Sequence, residues 1–145
     1  MSASNAFETD LLELIFNATA ITEIAENPTG SPSPAAVLYI SLHTGDPGET
    51  GTQSTSEATY TQYQRIAVLR TSGGFTVSGN TVSNTAEILF NEATGGSNTI
   101  THFGIGLSPT GTGTLLFTGT LTQSLAVSSG IQPRFAAGAL TTTCD

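Results

Sequence analysis

Two short stretches of this chain hold the residue types from which sites are built. His43, Asp46 and Glu49 lie within one turn-rich segment and have the composition of a metal cluster. A calcium loop needs more oxygen ligands at alternate positions, and a zinc site needs more His or Cys. The segment therefore reads as a polar turn in which Asp46 accepts a hydrogen bond from its own backbone. His102 sits between Thr101 and Phe103 in a strand-like run with no acid or nucleophile beside it, which makes it a half-buried structural histidine. The run Gly104-Ile-Gly106-Leu-Ser108 is glycine-rich, but a phosphate loop needs a lysine and a nucleophile elbow needs a glycine two positions after the serine. Close strand packing or a bulge explains these glycines better. Glu87 and Glu92 stand at the ends of one short strand and form no acid–base pair. The lone Cys144 has no partner for a disulfide or a metal site. No catalytic residue, no metal site and no cofactor site emerges, and the chain reads as a non-enzyme.

Composition narrows the partners. Of 145 residues, 37% are hydrophobic and only 10% are charged, with eleven Asp and Glu against three Lys and Arg. All three cations are arginines, Arg65, Arg70 and Arg134. A net charge of −8 repels phosphate, so neither nucleic acid nor an anionic membrane is an expected partner. So few charges on a polar chain suggest that another protein covers much of its surface. No basic region precedes an apolar run near the N-terminus, and no apolar stretch reaches the ~18 residues of a membrane span. A soluble protein made in a cytoplasm is expected.

The elements that would position any site begin with a helix. Phe7, Leu11, Leu14, Ile15, Ala18 and Ile21 recur at spacings of three and four, and Asn5 with Glu8 resembles a capping box. A second short helix over about Thr19 to Ala25 is plausible, and the Pro-rich stretch Asn27 to Pro34 ends helical structure. From Val37 the period becomes two. Strands are expected at Val37–Leu42, Tyr63–Arg70, Phe75–Val77, Thr81–Ser83, Glu87–Phe90, Ile100–Leu107, Leu115–Phe117, Leu125–Val127 and Arg134–Leu140, with a long polar loop from Thr44 to Thr59. Ser78-Gly79-Asn80 marks a hairpin. The expected organisation is a helical arm and linker over residues 1–35 and a β domain over 36–145. The expected fold is mainly β: an antiparallel, jelly-roll-like β-sandwich with a short N-terminal helical arm, a generic Greek-key sandwich being the alternative.

Several segments resemble a family of small virion proteins of tailed bacteriophages. They are Leu38-Tyr-Ile-Ser-Leu-His-Thr-Gly-Asp-Pro-Gly-Glu-Thr-Gly-Thr-Gln53, Tyr60-Thr-Gln-Tyr-Gln-Arg-Ile-Ala-Val68, Asn5 to Ala18, Thr99 to Gly106 and Ser124 to Gly130. Members of this family are commonly labelled tail or tail-fibre proteins, and they are similar to the cement proteins that decorate phage heads. The resemblance implies a structural virion protein. The leading expectation is a cement protein on the outer head surface, binding the major capsid protein and neighbouring copies of itself as a homo-oligomer. A tail or tail-fibre component is the first alternative and a carbohydrate-binding β module the second. The expected contact residues are Phe7, Leu11, Leu14 and Ile15 on the arm, with His43, Asp46, Tyr60 and Tyr63 on and beside the long loop.

Overall fold

The structure is a computed structural model that describes residues 3–21 and 36–144. The expected linker from Asn27 to Pro34, and the expected second short helix beyond Ile21, lie outside the described residues. One helix, α1 (Asn5–Asn17), is followed by β1 (Val37–His43), β2 (Ile66–Leu69), β3 (Phe75–Ser78), β4 (Thr81–Asn84) and β5 (Ile88–Leu89). Then come β6 (Asn98–Gly106), β7 (Leu115–Val127), β8 (Arg134–Phe135) and β9 (Thr141–Thr143). The fold is mainly β, with β1 and β6, β6 and β7, β3 and β4, and β4 and β9 paired antiparallel, and its helix is N-terminal. The sheets run β2-β1-β6-β7, β3-β4-β9 and β5-β8, orders that do not by themselves spell out a jelly roll. Contacts divide the chain into two compact units. One holds Met1–Val37, Leu69–Glu87 and Phe135–Asp145, and the other holds Leu38–Val68 and Ile88–Arg134.

In the first unit α1 packs on the β3–β4 hairpin. Ser4 caps the helix, its hydroxyl accepting from the Phe7 N–H at 3.3 Å, so the cap lies one residue before the expected Asn5. The buried positions are Glu8, Leu12 and Phe16, spaced four apart. The expected stripe through Phe7, Leu11 and Leu14 is thus rotated from the true inner face, because Leu12 and Phe16 go deepest. Phe16 meets Phe75 edge to face with ring centroids 4.9 Å apart, and Leu12, Phe75, Val82 and Leu140 complete a core of side chains at most 1% exposed. Ala18 adopts a left-handed conformation and stops the helix short of Ile21.

The last carbonyls of a helix have no partner within it and carry partial negative charge. α1 has no basic residue in its last turn. Arg70 supplies one from a distance, its Nε donating to the Ile15 carbonyl and its Nη2 to the Leu14 carbonyl, both at 2.6 Å. Arg70→Ala is expected to cost about 1–2 kcal/mol by removing this charge-assisted cap, read as a lowered urea midpoint and faster amide exchange across α1.

Asn84, 1% exposed, fastens the C-terminal segment of the same unit. Its Nδ2 donates to the carbonyls of Ala86 and Ala136, each at 2.8 Å, and its Oδ1 accepts from the Leu140 N–H at 2.9 Å. This turns the chain after Phe135, so of the single strand expected over Arg134–Leu140 only β8 forms, and β9 follows beyond it at Thr141–Thr143.

In the second unit β6 is central between β1 and β7. Ile40 lies opposite Ile105 and Ile105 opposite Phe117, while Leu42 lies opposite Phe103. These residues share the apolar face. Ser41, His43, Gly104 and Gly106 therefore point to the other face. The two strands expected at Leu115–Phe117 and Leu125–Val127 are one, β7, carried through by an irregularity: Ile100 pairs with Leu125 but His102 with Thr120.

Candidate functional site

The second unit holds the residues that looked most like chemistry, and there the long loop after β1 is folded back on its own sheet. Thr44 N–H donates to the Ser56 carbonyl and Ala58 N–H to the Leu42 carbonyl, both at 2.8 Å. The side chain of Asp46 accepts from the Gly48 N–H at 2.9 Å, the backbone cap expected of this turn. Gln53, fully buried, is the wedge of the loop. Its Oε1 accepts from the Ser108 N–H at 2.9 Å, and it lies so close over Gly106 and Gly113 that a Cβ on either would collide with its side chain.

Beneath the loop, His43 and Ser41 form a pair with the look of an activated nucleophile. The Thr55 carbonyl can only accept, so His43 Nδ1 carries the proton and donates to it at 2.8 Å. Nε2 is then free to accept the Ser41 hydroxyl, also at 2.8 Å. A nucleophile must reach a substrate. Both side chains are 0% exposed, and a Cβ at Gly104 would stand 2.7 Å from each of their hydrogen-bonding atoms. The pair is a packed clasp for the loop.

Burial holds the His43 pKa below its ordinary value of 6.5, with Arg65 and His102 acting in the same direction and the Thr55 hydrogen bond and Glu57 opposing. The unfolded chain therefore takes up this proton first as pH falls through about 6.5, and stability is lost in that window and restored above it. Melting at pH 7.5 and 5.5 should show a drop that shrinks in His43→Gln.

A second network closes the base of the loop. Arg65 grips Glu57 with two bonds, Nε to Oε1 at 2.6 Å and Nη2 to Oε2 at 2.7 Å. Its Nη1 also donates to the Ser108 carbonyl at 3.0 Å and its Nη2 to that of Gly111 at 2.6 Å. Tyr63 donates its hydroxyl proton to Glu57 at 3.0 Å and accepts from the Leu42 N–H at 3.0 Å. The Glu57 hydrogen bond raises the Arg65 pKa, and burial pushes the Tyr63 phenol far above its usual range. Burial also lifts Tyr60 to about 12, where its hydroxyl donates to the Asn91 carbonyl at 3.1 Å. Asn98 Oδ1 accepts from the N–H groups of Thr59 and Tyr60 and so pins the end of the loop.

This network floors an open cleft of about 410 Å³ lined by Glu57, Tyr63, Gln64, Arg65, Pro109, Thr110 and Gly111. A smaller cleft of about 360 Å³ lies between Gly48–Gly51 and residues Leu115 to Thr118. Among the described residues no group of three His, Cys, Asp or Glu could hold a metal ion, and no helix is long and apolar enough to cross a membrane.

The expected contact residues fare unequally. Phe7 is 41% exposed and Asp46 is exposed, while Leu11, Leu14, Ile15 and Tyr63 are half-buried. His43 and Tyr60 are buried and engaged within their own unit. Sequence reasoning missed the Glu57–Arg65 pair, Gln53 and Asn84. The one available signal was the scarcity of cations, which makes each arginine worth a search for a buried carboxylate.

What this geometry does is hold an ordered loop on a sheet. No curated protein matches the chain. A protein-family model described as Podophage GP4 fiber I protein gp80 matches residues 2–143. The chain belongs to this fiber protein family and is a structural virion protein of tailed phages.

Proposed function

We propose that this protein is a fibre- or tail-associated subunit that works by adhesion and carries out no reaction. The family match over residues 2–143 carries this reading, since the family's description names a fiber. Two features agree with it. The Ser41–His43 pair is sealed from any substrate, and the Thr44–Thr59 loop is tied down as a firm surface. A head-cement role, bridging neighbouring major capsid subunits, draws support only from the small β fold, so the fibre reading stands ahead of it. Phe7 and Asp46 are the expected contact residues still exposed for a partner. Cutting away the arm would be an unsuitable test, because Leu12 and Phe16 would leave the core with it.

The decisive measurement is the position and copy number of the protein on intact particles, by cryo-electron microscopy with gold-labelled antibody. Label confined to the tail or its fibres, in few copies, supports the reading. A dense lattice of copies over the head overturns it in favour of cement.

A further inference from the structure

The cleft over the Glu57–Arg65 pair has a floor whose hydrogen bonding is incomplete. Its volume of about 410 Å³ lies within the range of small-molecule sites. The lining comes from two separate stretches of chain, 57–65 and the 109–111 turn. Arg65, with a side chain 2% exposed, donates once from Nε, once from Nη1 and twice from Nη2, to Glu57, Ser108 and Gly111. A guanidinium has two N–H groups at Nη1, so one of them is left over. Glu57 receives two bonds at Oε1 and one at Oε2, so Oε2 can accept another. A donor and an acceptor on paired side chains are thus unused beneath an open cleft.

The chemistry of the groups left over selects the occupant. Arg65 is already neutralised by Glu57, so neither an anion nor a cation meets an unmatched charge there. A purely apolar ligand would cover the spare donor and acceptor without satisfying them, which is costly. A hydroxyl both donates and accepts, and two adjacent hydroxyls on a sugar ring can serve both groups at once. Gln64 and Thr110, both exposed, bring further donors and acceptors to the cleft, while Tyr63 and Pro109 supply apolar surface for the C–H groups of a ring. We propose that this cleft binds one neutral saccharide unit, one ring hydroxyl donating to Glu57 Oε2 and its neighbour accepting from Arg65 Nη1. The inference deepens the adhesion reading and rests on it for its role. The binding itself is a property of the isolated protein and does not depend on where the protein sits on the particle.

Titration of the full chain with free glucose, galactose, mannose and N-acetylglucosamine, followed through its amide and Arg65 Nε–H NMR signals, tests it. At least one of these sugars should shift the signals of Gln64, Arg65, Thr110 and Gly111 saturably, with a millimolar dissociation constant. Gln64→Ala/Thr110→Ala should weaken that binding about tenfold with an unchanged urea midpoint. Ser129→Ala, which does not line the cleft, should bind like the wild type. Glucuronate, which brings a carboxylate toward Glu57, should bind at least about tenfold more weakly than the best neutral sugar. Propionamide, standing for the side-chain amide of a protein partner, should shift nothing at the cleft. No saturable shift at the cleft from any of the sugars, or shifts confined to another surface, would overturn the proposal. Glucuronate or propionamide binding as tightly as the sugars would overturn the choice of a neutral saccharide. The wild-type titration decides the matter even if the double variant fails to fold, and particle imaging tests the fibre reading separately.

Discussion

Arg65→Ala is expected to destabilise the protein by about 3 kcal/mol, the lower end for removing one partner of a buried ion pair. The Arg65 side chain is 2% exposed and that of Glu57 17%, so the abandoned carboxylate keeps limited access to water through the cleft. The loss is more than one ion pair, because the same guanidinium holds the carbonyls of Ser108 and Gly111. Removing it takes the donor from two acceptors in the 108–113 turn and leaves the Glu57 carboxylate with the Tyr63 hydroxyl alone. Glu57→Gln/Arg65→Met removes both charges and should recover part of the stability lost in Arg65→Ala, since an uncompensated buried charge costs more than the pair contributes. Urea unfolding of the two variants and the wild type reads both effects. Equal stability of Arg65→Ala and wild type would show that this network is not holding the loop.

The second large effect is expected at Asn84. Asn84→Ala leaves the Leu140 N–H and the Ala86 carbonyl without their partner and the Ala136 carbonyl with the Ala139 N–H alone, in a region where Leu140 is 1% exposed. The orphaned Leu140 N–H is buried and costs about 1–3 kcal/mol, while Ala86 and Ala136 are exposed and add less, so a total of about 2–3 kcal/mol is expected. The loss should be local: amide exchange should accelerate over β4, β9 and the connecting 136–140 segment more than at β6. Asn84→Asp keeps the shape but presents a carboxylate oxygen to two carbonyls, and it should be no better than Asn84→Ala at neutral pH.

Local signals in the sequence carried much of this fold. Alternation located β1, the Ser78-Gly79-Asn80 cluster located the β3–β4 turn, and apolar spacing located α1. Local signals failed where distant parts of the chain decide. β7 is continuous because β6 pairs with both halves of it across an irregularity, which nothing in Leu121-Thr-Gln-Ser124 announces. The face of α1 that turns inward is set by Phe75, whose partner Phe16 lies far away in sequence. Asn84 and its acceptor Ala136 are 52 residues apart, and Arg65 and Gly111 are 46 apart. Such polar contacts leave no periodic trace. The helix cap was misplaced by one residue because Ser4 and Asn5 are both good caps, and only the backbone chooses between them.

The engagement of Arg65 and Arg70 has a consequence for proteolysis. A trypsin-like protease can cut this chain only after its three arginines. Arg65 is buried against Glu57, and Arg70 is spent on the end of α1. Only Arg134 lies at an exposed position, in the short strand β8. Cleavage there would release the final segment from the backbone while Asn84 still gripped it. To an enzyme that reads basic residues, the folded protein therefore offers one site in place of three, and the appearance of the other two cuts would report that the anchors had let go.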